Sequence, residues 1–140
     1  MNLTAMVCIF LMLSGVPVPQ ELHLRSMRSG DGTELDVRIT REQAEAVPTW
    51  DPEDKQVVPI DLSLAIGLAR DSIRDRHPGI SEFLVAGIEM SRLHEEYLNR
   101  WYYIIRFRPV LEGRPLQGGL YAAFILMDGT VVEPTVAKSD

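Results

Sequence analysis

Apolar and polar positions change rhythm three times along the chain. Residues 5–13 form an unbroken apolar run, and period-two stretches then begin at Leu22, interrupted by one segment of helical period. Residues 22–40 read as a β-hairpin: Leu22 and Leu24 alternate with polar neighbours, as do Leu35, Val37 and Ile39. Between them Ser29-Gly30-Asp31-Gly32 supplies turn residues that tolerate positive φ. Thr40 followed by Gln43 matches a capping box, so a helical turn through Ala46 is expected, stopped by Pro48. Residues 48–59 hold Pro48, Pro52 and Pro59 with the acids Asp51, Glu53 and Asp54, and read as a connector in which Trp50 turns back onto the core.

The spacing predicts the main helix over residues 62–77. Asp61 is a good N-cap, because its carboxylate accepts from free N–H groups of the first turn. Leu62, Ile66, Ala69 and Ile73 make one apolar stripe, widened by Ala65 and Leu68, while Arg70, Asp71, Arg74 and Asp75 are expected in water. Pro78 disfavours helical geometry at His77 and ends the helix. Strands are expected at 83–90, 100–109, 120–127 and, briefly, 130–133 after the Asp128-Gly129 turn. In the first, Leu84, Ala86, Ile88 and Met90 share a face. In the second, Trp101, Tyr103, Ile105 and Phe107 share one face and Arg100, Tyr102, Ile104, Arg106 and Arg108 the other. Residues 92–100 and 112–119 read as polar connections, and Pro134 suits a strand end.

These elements define an α+β fold: an N-terminal hairpin, a connector, and one amphipathic helix packed on a three- or four-stranded antiparallel meander. Its stripe is expected against the ring-bearing face of 100–109. Residues 1–17 read as a leader, 18–60 as hairpin plus connector, and 61–140 as the helix-and-sheet unit, one domain with the hairpin.

Charge and composition narrow the class. The apolar share of 46% and charged share of 24% are ordinary for a globular chain of 140 residues. The formal charge is -6, and no charged side chain precedes Glu21. An acidic mature part lacks the basic footprint of a nucleic-acid partner. The apolar run is about half the roughly 20 residues that span a bilayer. With Ser14, Gly15, Pro17 and Pro19 behind it, it has the length of a secretory signal. Met1 to Thr4 lack lysine and arginine, and Ser14-Gly15-Val16 only approximates a cleavage site, so a retained anchor or a buried first strand are the alternatives. The expectation is an exported bacterial protein, periplasmic or secreted, with no stable membrane span after cleavage. Cys8, the one cysteine, lies in the leader, which leaves the remainder without a disulfide or thiolate.

The helix with Ala65 and Ala69, the His77-Pro78-Gly79 exit, the Trp101-Tyr102-Tyr103 strand and the valines after Asp128-Gly129 resemble the small PepSY-like and cystatin-like α+β domains over residues 61–134. The resemblance implies export and a noncatalytic role in binding peptidases or other proteins, and it supplies no site residues. A glycine that usually follows the last strand of that pattern is replaced here by Glu133-Pro134.

Candidate chemistry is sparse. His23, His77 and His94 lack metal-ligand spacing, no G-x-S-x-G elbow is present, and Glu95 and Glu96 are adjacent instead of facing. Gly118-Gly119 is followed by no lysine or helix start. No catalytic, metal or cofactor residue is therefore assigned, and no cofactor is expected. The surface that stands out is Arg100, Tyr102, Ile104, Arg106 and Arg108, where basic and aromatic residues interleave. It reads either as a binding platform or as a solvated face whose arginine stems cover apolar surface. The leading expectation is a noncatalytic exported module that binds another exported protein or peptide. The alternatives are a small-molecule binder with a cone lined by Met90, Trp101, Tyr103 and Phe124, and an enzyme of unfamiliar type.

Overall fold

The computed structural model describes residues 20–138 and holds two antiparallel sheets and one main helix, a mixed α+β fold. The leader expected at residues 1–17 lies outside the described residues.

Strands β1 (Glu21–Arg28) and β2 (Glu34–Thr40) form the hairpin. Its tip closes through Gly32 N–H donating to the Ser29 carbonyl at 2.9 Å, with Gly32 at φ +88, a value that other residues adopt only under strain. The register shifts between His23 and Arg25, so Leu24 is an extra residue. That bulge puts Leu22 and Met27 on one face although they stand five apart: they pair with Ile39 and Leu35. The opposite face is polar, with Arg28 on Glu34 at 3.0 Å and the Ser26 hydroxyl donating to Asp36 at 2.6 Å. A one-sided apolar hairpin has to cover something, and here it covers the larger sheet.

Helix α1 (Arg41–Ala46) starts on the expected capping box: Gln43 N–H donates to Thr40 Oγ1 at 3.1 Å, and Thr40 N–H to Gln43 Oε1 at 2.9 Å. In the connector, Trp50 turns back, its ring edge-on to Trp101 at 6.1 Å, while Trp101 Nε1 donates to the Trp50 carbonyl at 2.9 Å.

Helix α2 (Leu62–Arg76) begins at Asp61, whose carboxylate accepts from Leu64 N–H at 3.1 Å. Replacing Asp61 with alanine orphans that donor. The expected loss is about 1 kcal/mol of unfolding free energy, read from a shifted urea midpoint at unchanged slope. The buried face of α2 is Ala65, Ala69, Ser72 and Ile73, whereas Leu62 of the expected stripe is exposed and Ile66 only partly covered. The helix is rotated toward its small residues and packs chiefly on the strand that holds Ala123.

The second sheet runs β3 (Glu82–Arg92), β4 (Trp101–Leu111), β6 (Tyr121–Leu126) and β7 (Val131–Val132), with β5 (Arg114–Pro115) folded onto the end of β4. The last strand, β8 (Thr135–Val136), crosses to the other sheet and pairs with Leu35 and Asp36 of β2. Neither β5 nor β8 is expected from the sequence. The meander is therefore five strands instead of three or four, and the hairpin becomes a three-stranded sheet. Helix α2 lies over β6, with Phe107 beneath it: the Arg70 guanidinium sits 5.9 Å from the Phe107 ring. Tyr103, Ile105 and Phe107, in register with Ile125, Ala123 and Tyr121, are all buried on this helix side.

Strand β3 departs from its simple alternation. The register shifts between Val85 and Gly87, leaving Ala86 as a second bulge. Ile88 and Met90 pair with Ile105 and Tyr103 on the helix side, joined by Val85 opposite Phe107. Leu84 pairs with Arg108 and faces the other way, so the expected row Leu84, Ala86, Ile88, Met90 is split in two.

Candidate binding surface

Strand β4 keeps the predicted alternation, which places Tyr102, Ile104, Arg106 and Arg108 on one face. That face is not the open platform that the pattern suggests. Tyr102 and Ile104 are 3% and 1% exposed, because the hairpin lies across them. Val37 and Ile39 of β2 share their buried cluster, and Arg25 of β1 reaches Glu89 of β3. Burial pushes the Tyr102 phenol above its ordinary range. The signal for this covering was the apolar Leu35, Val37 and Ile39 row, which needed a partner surface.

The arginines of the set have three different environments. Arg100 precedes β4 and donates to the Ala44 carbonyl at 2.7 Å and to the Glu45 carbonyl, holding the end of α1. Its guanidinium also lies 5.7 Å from the Tyr97 ring. It is a clamp between elements, not part of a surface. Arg106 donates to Glu89 Oε2 at 2.8 Å, and Arg25 to Glu89 Oε1 at 3.2 Å. The hydrogen bond from Arg106 is the main reason that the Glu89 carboxyl is held below the usual range, and the charge of Arg25 adds to it. Arg108 is half-buried beside Leu84.

What remains open is the edge these arginines border. β3 is eleven residues long and, among the described residues, pairs on one side only. Leu84, Val85 and Ile88 on it are 44%, 39% and 42% exposed. Helix α2 sits chiefly over β6, and on the helix side of β3 Val85 and Ile88 stay partly open although Phe83 is buried. At the end of this edge Arg92 stacks over the Trp101 ring at 5.1 Å.

The histidines stay apart. His23 lies 2.9 Å from Ser26 Oγ, His94 Nδ1 accepts from Glu96 N–H at 3.3 Å, and His77 stacks edge-on to Tyr121 at 4.3 Å. Burial lowers the affinity of His77 for a proton, and the neighbouring Arg76 charge lowers it further. Among the described residues no group of three or more His, Cys, Asp or Glu is arranged to hold a metal ion. The four residues expected to line a cone do not converge. Tyr103 faces the helix, whereas Phe124, in register with Ile104, faces the hairpin.

Fold and surface together define a small α+β domain whose larger sheet is covered by a helix on one side and a hairpin on the other, with the long strand β3 at its edge, paired among the described residues with β4 alone. No protein-family model, no curated protein and no solved structure matches the chain. Among the described residues no helix is long and apolar enough to cross a membrane.

Proposed function

We propose that the chain is a noncatalytic exported interaction module that docks an extended segment of another exported protein on β3. The observation that carries this reading is the free edge of β3 with Leu84, Val85 and Ile88 exposed along it. An unpaired strand offers a row of main-chain donors and acceptors, the natural partner for another extended backbone. Edge strands left this long invite such pairing unless charges or bulges block it, and here the Ala86 bulge restricts regular pairing to the parts on either side. Export is supported by the apolar run at residues 5–13, and the resemblance to PepSY-like and cystatin-like domains points to the same noncatalytic binding role.

Lysine on an edge strand opposes pairing at little cost to the fold, because its ammonium stays in water. With the chain as bait in an exported-protein fraction, the wild type is expected to retain a partner that Val85→Lys and Ile88→Lys both lose. Equal recovery by the lysine variants, or no partner for any form, would remove the proposal. Circular dichroism of the variants separates lost docking from lost folding.

A further inference from the structure

The β3 edge is basic although the chain is acidic. On the hairpin side of that edge stand Arg25, Arg106 and Arg108; the carboxylate that pairs with them is Glu89, which both Arg25 and Arg106 share. Arg108 takes part in no ion pair among the described residues. Glu82 lies at the far end, in register with Val110. Three guanidinium groups against Glu89 and the more distant Glu82 still leave a local positive excess in a chain of formal charge -6.

Access to it depends on Gly87. That residue is the register partner of Arg106, and a β-carbon built there meets nothing within 4 Å. Gly87 itself places no side chain over Arg106, whose β3 contact is with Glu89, two residues further along the strand. Any residue with a side chain at 87 would fill the gap from the hairpin side.

We propose that the segment docked on β3 is acidic, with glutamate or aspartate on its hairpin side and aliphatic residues on its helix side. The inference rests on the reading of β3 as the docking edge and specifies the partner's chemistry. An added strand continues the pleat, so its alternate residues project to opposite faces. On the hairpin side, a carboxylate above Gly87 meets Arg106 and Arg25, which Glu89 alone neutralises only in part. On the helix side, aliphatic residues cover Val85 and Ile88. The carboxylates select the partner more than they tighten it, since Arg25, Arg106 and Glu89 are all partly solvated.

Two labelled peptides test this by fluorescence anisotropy with the folded chain. One is acetylated, amidated and alternates glutamate with valine; the other has lysine in place of each glutamate. The glutamate peptide is expected to bind roughly tenfold more tightly or better, a preference that shrinks in high salt. Gly87→Val and Arg106→Gln are each expected to reduce that preference to near unity. Glu89→Gln removes the competing carboxylate and is expected to tighten the glutamate peptide several-fold. Because Gly87→Val enters a bulged strand, Arg106→Gln and Glu89→Gln carry the test if its circular dichroism shows a disturbed fold. Equal binding of the two peptides overturns the acidic preference and leaves the docking edge standing. Binding of neither peptide removes both.

Discussion

Phe107→Ala is expected to cost about 3–5 kcal/mol of unfolding free energy. The Phe107 ring is completely buried between helix and sheet. Phe83 meets it edge-on at 6.3 Å, and the Arg70 guanidinium lies 5.9 Å above it. Removing the ring loses the transfer energy of its carbons and leaves a cavity that a helix and a sheet cannot close without moving together. Urea unfolding followed by tryptophan fluorescence reads the effect as a lower midpoint at similar slope. A change below about 1 kcal/mol would mean that α2 does not rest on this strand, since truncations of that size are typical of surface sites.

The second large effect comes from a contact between two glycines. Gly119, before β6, faces Gly30 at the hairpin tip so closely that a β-carbon on Gly119 would stand 2.8 Å from the Gly30 α-carbon. A β-carbon on Gly30 would stand 2.9 Å from the Gly119 carbonyl and 2.6 Å from the Tyr121 ring. The Gly119 β-carbon would meet the Gly30 backbone, so no rotamer change relieves the clash. Tyr121 in turn is held between His77 and Phe83, at 4.3 and 6.0 Å. Gly119→Ala is therefore expected to destabilise by about 1–3 kcal/mol, and Gly119→Val by more, through separation of the hairpin tip from the larger sheet. Hydrogen exchange would report the separation as lost protection in β1 and β2 beyond that in β4 and β6. Uniform or absent loss would show that the hairpin is not anchored there.

Both predictions concern contacts between segments far apart in the chain, and that distance marks what can be read from a sequence. The capping box at Thr40 and Gln43, the N-cap at Asp61 and the stop at Pro78 were legible because each involves groups within a few residues. Period-two alternation was legible in β4 for the same reason. The candidate surface was legible only in part. Arg106 and Arg108 do border an exposed edge, but Tyr102 and Ile104 are covered, and Arg100 serves α1. Alternation says which residues share a face; it does not say what packs on that face.

The amino-acid sequence by itself determined the hairpin, the main helix, the major strands and the α+β class, because backbone propensity, capping and side-chain period act locally. Only the tertiary structure decided which way each face points after the bulges at Leu24 and Ala86, because one extra residue reverses every later side chain and its presence depends on the partner strand. It also decided that β5 and β8 exist, since a two-residue strand has no period of its own and forms only where an edge awaits it. Finally it closed the arginine face under the hairpin and left β3 open. The physical reason is that burial is a property of pairs of surfaces, and the second surface lies some sixty residues away in the chain, as the Arg25–Glu89 contact across 64 positions records.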